Sequence, residues 1–155
     1  MIKFRELGAY KNAKNIGYCV ASVEMHNGQA AEFNLAAKTA GHPSTATADG
    51  LAIVMNSIEK PQILSPNHHV IEVGECPRLF TLKSLDGEIL DMDMDQVNGL
   101  YSAVEVGKYL TPKTDGTWEV KNSVTGYPAY LEVIDLTSFN GEGIGAKVVI
   151  VDKTS

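Results

Sequence analysis

Six dipeptides constrain what this chain can fold into more than any other feature: Asn27-Gly28, Asp49-Gly50, Asp86-Gly87, Asn98-Gly99, Asp115-Gly116 and Asn140-Gly141. Asn, Asp and Gly tolerate the positive φ angles that tight hairpin turns demand and that β-branched residues resist. Between the dipeptides stand short runs rich in Val, Ile, Leu, Tyr and Thr, which fit a pleated, half-buried surface. The expectation is an all-β domain, a compact hairpin-rich β-barrel or β-tulip or sandwich with little helix.

Four hairpins are expected. Tyr18–Met25 turns at His26-Asn27-Gly28 and returns through Gln29–Leu35. Leu79–Leu85 turns at Asp86-Gly87 and returns through residues 88–94. Lys108–Pro112 turns at Asp115-Gly116 and returns through Trp118–Val120. Ala129–Leu136 runs through Ser138–Gly143 into a last strand, Ala146–Val151. Helix is expected at most over two or three turns at Ala30–Lys38 and one or two at Asp95–Val104, lengths that depend on tertiary packing.

At 155 residues the chain suits one domain with a core of its own. Residues 1–15 read as an extended N-terminal arm, with Lys3, Arg5, Lys11 and Lys14 beside Phe4 and Tyr10. Residues 16–155 read as a single β-rich domain, with a long polar loop at about 37–50. The formal net charge of −6 carries no basic stripe of the kind that displaces counterions from phosphates, so no nucleic-acid partner is expected. No apolar run approaches the roughly 20 residues that span a bilayer, and residues 1–7 lack a secretory pattern, so synthesis in a host cytoplasm and no membrane are expected. Cys19 and Cys76 are too few for a disulfide framework and form no Cys-x-x-Cys unit; both read as reduced, packed side chains.

Candidate chemistry is sparse. Asp91, Asp93 and Asp95 alternate with Met92 and Met94, so period two puts carboxylates on one face and methionines on the other. Three carboxylates suit a hard cation, but Gln96 and Ser102 stand where a calcium loop needs Gly and Glu. A solvated strand face is the expected reading. His68-His69 would point to opposite faces of a strand and reads as a pair of turn histidines after Pro66-Asn67. Gly141-Glu-Gly-Ile-Gly145 precedes a strand rather than the helix a dinucleotide phosphate needs. Ser44, after His42-Pro43, has no local triad, and Cys76, before Pro77, could in principle pair with a histidine as a nucleophile. Trp118 with Tyr10, Tyr18, Tyr101, Tyr109, Tyr127 and Tyr130 offers either strand packing or a sugar platform. No catalytic residue, metal or cofactor is expected.

Three stretches carry a resemblance of pattern to small bacteriophage capsid decoration proteins: the opening hairpin with its Asn27-Gly28 turn, ending in Glu32-Phe-Asn-Leu35; a middle hairpin, Arg78-Leu-Phe-Thr-Leu82 through Asp86-Gly87 to Ile89-Leu90; and Val106–Val120 followed by Ala129–Ile134 and Ala146–Val151. The resemblance implies a virion structural protein with no enzymatic activity. It would sit on the capsid surface, bind the major capsid protein and self-associate as a trimer or dimer. Phe4, Arg5, Tyr10 and Lys14 are the expected partner contacts. The alternatives are a β-sandwich module for carbohydrate or surface attachment and, less favoured, an enzyme on a small barrel.

Overall fold

The computed structural model describes residues 2–4, 13, 15–56, 69–98, 101–138 and 145–153. The first half of the chain supplies β1 (Ile2–Phe4), β2 (Asn15–Ile16), β3 (Val20–Ala21), β4 (Met25–His26), β5 (Ala30–Asn34), β6 (Thr39–Gly41), β7 (Leu51–Val54) and β8 (Val70–Ile71). The second half supplies β9 (Leu79–Thr81), β10 (Ile89–Asp93), β11 (Val97–Asn98), β12 (Tyr109–Pro112), β13 (Trp118–Lys121), β14 (Ala129–Thr137) and β15 (Gly145–Asp152). Helix among the described residues is confined to 3₁₀ turns at Leu82–Leu85 and Tyr101–Ala103. The fold is all-β, as the turn dipeptides predict, and its curled sheets form a half-barrel.

One sheet has seven strands in the order β1-β10-β15-β14-β12-β13-β11, the other six in the order β2-β9-β7-β5-β6-β3, and β4 pairs with β8 alone. The main core lies between the large sheets. Leu90, Met92, Leu110, Trp118, Leu131, Val148 and Ile150 from one meet Ala30, Leu51, Ile53 and Phe80 from the other. Strand periodicity sends Ala31, Ala52, Val54 and Leu79 to the opposite face of the six-stranded sheet, where Met25 and Ile71 of the β4–β8 pair cover them. β7, Leu51-Ala-Ile-Val54, is therefore buried on both faces and apolar throughout, in the manner of an interior strand.

Two of the four expected hairpins form. β12 and β13 pair antiparallel around Asp115-Gly116, with Leu110 opposite Val120 and Pro112 opposite Trp118. Asp115 secures this turn by accepting from the Thr117 N–H and hydroxyl. β14 and β15 pair along their length, with a register shift at Ile134 between Val133 and Asp135.

The other two turns carry the chain between sheets instead of folding it back. At Asn27-Gly28, β5 leaves β4 and pairs with β6 and β7. Buried Asn27 exchanges hydrogen bonds with the Asn56 backbone (2.7 and 3.2 Å), and the Gly28 N–H donates to Val54 O at 2.8 Å. The turn is thus tied to the end of β7. At Asp86-Gly87, β9 stays with β2 and β7 while β10 joins β1 and β15. The 3₁₀ turn between them, capped by Thr81 Oγ1, buries Leu82 and Leu85 and spans the gap. Ala30–Lys38 is not helical: β5 and β6 form a hairpin around residues 35–38, where Lys38 has φ +55°. The expected loop at 37–50 accordingly contains β6.

Candidate functional site

The nominated contacts begin in the sheet. Ile2, Lys3 and Phe4 pair with Met92, Asp91 and Leu90, so the first residues of the expected arm are an edge strand of the seven-stranded sheet. Arg5, Tyr10 and Lys14 lie outside the described residues.

The aspartate row is corrected by the same pairing. Asp91 and Asp93 are buried, at 3% and 7% exposure, and only Asp95 faces solvent. The alternation with Met92 and Met94 holds, but the carboxylate face is covered too. In the backbone register, Asp91 stands opposite positions 3 of β1 and 147 of β15, both lysines in the sequence, and position 147 stands opposite Asp135 of β14. Asp93 stands opposite Gly145, and its carboxylate accepts from the Asp95 N–H at 3.2 Å. Among the described residues no group of three His, Cys, Asp or Glu side chains is placed to hold a metal ion.

Two of the carboxyls titrate in opposite senses. Burial pushes the Asp93 carboxyl up, whereas hydrogen bonds from Thr117, with the nearby Lys113 ammonium, bring Asp115 down to about 2. For Asp93 the folded state holds the proton more tightly than the unfolded one, so stability rises as pH falls from neutral toward the unfolded value of 3.8. For Asp115 the unfolded state holds it more tightly, so its contribution is present above 3.8 and is lost as pH falls toward about 2. Because Asp115 is half exposed, screening keeps that contribution below about 1 kcal/mol. Urea midpoints measured from pH 7 to pH 2 are expected to lose the gain on mild acidification in Asp93→Asn. In Asp115→Asn the loss below pH 4 is expected to shrink. An unchanged profile in both variants contradicts the assignment.

The remaining candidates separate. His69 is buried beside β8 rather than displayed in a turn, and His68 lies outside the described residues. Cys19 is buried and Cys76 exposed, so only the first is a packed thiol. Ala21 donates to Glu75 O and accepts from the Gly74 N–H, with Gly74 at φ +94°, which is the geometry of a glycine bulge. Cys19 and Ala21 are buried, and Val20 and Cys76 are exposed. Burial, with the nearby Cys76, pushes the Cys19 thiol up, away from the range of a reactive thiolate. Ser44 is held by its N–H on Glu32 at 2.6 Å. Gly145 opens β15, and residues 141–144 are outside the described set. Trp118 is fully buried, so it contributes nothing to a sugar platform. Tyr109 and Tyr130 meet edge to face at 5.4 Å, and the Lys153 ammonium lies 4.9 Å from the Tyr130 ring centre.

A cavity of about 480 Å³, not foreseen from the sequence, opens where the two sheets meet. Phe33 and the Asp49-Gly50-Leu51 segment form one side, Thr81, Lys83 and Ser84 another, and Pro128, Ala129 and Asp152 the third. A smaller recess of about 210 Å³ lies by Glu32, Asn34 and His42. Neither brings a cysteine beside a histidine. The cavity draws on three stretches separated by some thirty residues or more, and none of them carries a local motif. No protein-family profile matches the sequence, and no curated protein matches it.

Proposed function

We propose that this chain is a virion structural protein without enzymatic activity: a bacteriophage decoration protein that binds the major capsid protein on the assembled head and associates with copies of itself as a trimer or dimer. The observation that carries the reading is β1. It stands at the edge of the seven-stranded sheet, and among the described residues no strand pairs with its outer side. Sheet edges take up strands from partners through backbone hydrogen bonds alone, which suits an attachment that requires no chemistry. The basic and aromatic residues nominated as contacts begin with Phe4 of this strand, and on a chain of net charge −6 the lysines and arginine of the first fifteen residues are of the sign that an acidic shell would attract. Of the pattern of turns and strands that resembles decoration proteins, the hairpins β12–β13 and β14–β15 form and support the reading, whereas the opening and middle stretches do not pair as hairpins.

Co-sedimentation with emptied heads of the phage that encodes the chain tests this. Removing residues 1–15 would also remove β1 from its sheet, so charge reversal is the cleaner perturbation. The full chain is expected to bind saturably in a fixed ratio to the major capsid protein. Arg5→Glu with Lys14→Glu is expected to weaken binding about tenfold or more, most at low salt. No saturable binding by the unmodified chain would falsify the decoration reading.

A further inference from the structure

We propose that the cavity of about 480 Å³ is a binding site for an alkylated cation, the guanidinium or ammonium end of an arginine or lysine side chain presented by a partner protein. The inference stands apart from head binding, because it concerns the junction of the sheets and not β1.

The size is that of a ligand cleft, within the range of about 300–1,000 Å³. Leu51 and Ala129, both buried, give the floor an apolar surface against which an aliphatic stem can lie. Half-buried Phe33 forms the aromatic wall. Gly50, at φ +76°, stands over it: a Cβ there would come within 3.2 Å of Phe33 O and 3.7 Å of two ring carbons. With glycine at this position, no side chain of residue 50 stands against the edge of the ring. A cation beside an aromatic ring is drawn by the ring quadrupole, more strongly where water is partly excluded.

Charge decides the class of ligand. Asp49, Asp152 and Lys83 line the cavity, a formal sum of −1 from two carboxylates and one ammonium. Lys83, Ser84 and Asp152 have interactions of their own, while the exposed Asp49 carboxylate has no hydrogen bond or ion pair among the described residues. An anion would meet carboxylates on two sides. A neutral apolar ligand would take water from Asp49 without replacing it, which costs free energy. An alkyl cation satisfies the floor, the ring and the carboxylate together, and a guanidinium can do so with two parallel hydrogen bonds.

The test is a titration of the full, isotopically labelled chain with n-butylguanidinium chloride. Sodium pentanoate, n-pentanol and sodium chloride are the comparisons, and amide chemical shifts are the readout. Butylguanidinium is expected to give saturable shifts at Asp49, Gly50, Leu51, Ser84 and Ala129 with a dissociation constant of about 1–10 mM, the scale for a fragment of this size. Asp49→Asn, at an exposed position, is expected to keep the spectrum of the folded chain and to weaken binding about tenfold. Absence of saturable shifts at these amides overturns the proposal. So does pentanoate or pentanol binding as tightly as the cation, or Asp49→Asn binding it unchanged.

Discussion

Replacing Trp118 with alanine is expected to unfold the protein or bring it close to unfolding. The indole is wholly buried in the core between the two large sheets. Its Nε1–H donates to Gly28 O at 2.8 Å, a bond between residues 90 apart in the chain. Truncating a buried tryptophan costs about 3–5 kcal/mol in transfer and cavity terms. A buried Gly28 carbonyl left without its donor adds about 1–3 kcal/mol. Set against total stabilities of about 5–15 kcal/mol, that loss takes most of the margin. Trp118→Phe keeps much of the volume and removes the donor, so its cost is expected near the lower contribution. Urea unfolding followed by circular dichroism separates the two. Equal midpoints for Trp118→Ala and the unmodified chain would show that the sheets are not held together here.

The second large effect is expected at the tip of the β12–β13 hairpin, which closes against the other sheet. Gly116 has φ +81°, accepts from the Ala30 N–H at 2.8 Å, and is buried. A Cβ built there falls 2.8 Å from His42 Cδ2, 3.1 Å from His42 Nε2 and 3.3 Å from Ala30 O. Gly116→Ala therefore combines a left-handed backbone carrying a side chain, about 1–2 kcal/mol, with overpacking of about 1–3 kcal/mol. Gly107→Ala provides the control: its φ is +85°, and nothing lies within 4 Å of the added carbon. It is expected to cost only the backbone contribution. The difference between the two urea midpoints measures the packing at the sheet junction, and identical losses would remove it.

The two hairpins that the sequence predicts correctly share a property that the other two lack. At Asp115-Gly116 and between β14 and β15, apolar and β-branched residues on both sides of the turn find their partners across it. Asn27-Gly28 and Asp86-Gly87 carry equally good turn residues, and both glycines do take positive φ, at +88° and +79°. Their flanking strands nevertheless pair elsewhere. β4 takes β8 and β5 takes β7, because Asn27 and Gly28 bond to the end of β7. A 3₁₀ turn with two buried leucines moves the chain from β9 across to β10. Turn chemistry determines whether the chain bends; the identity of the partner strand depends on surfaces brought together from far away.

The same division runs through the candidate sites. Period-two alternation separated Asp91 and Asp93 from Met92 and Met94, yet solvent exposure of the aspartates was the wrong expectation. Burial on that face depends on the packing of the whole assembled sheet, and only the register of β1 and β15 places lysine positions on both sides of Asp91. Trp118 was legible as an aromatic on a strand, but its place as the bond between sheets rests on a carbonyl 90 residues away. The cavity was invisible for the same reason, since its walls come from segments around residues 33–51, 81–84 and 128–152.

What the sequence determined by itself is the class of fold and the places where the chain turns, because φ preference and side-chain alternation belong to each residue and its immediate neighbours. Only the tertiary structure decided which strands pair, which polar residues are covered and where space is left between the sheets. Backbone hydrogen bonds between strands are alike for almost any sequence, so the choice among partners falls to side-chain packing summed over the whole core.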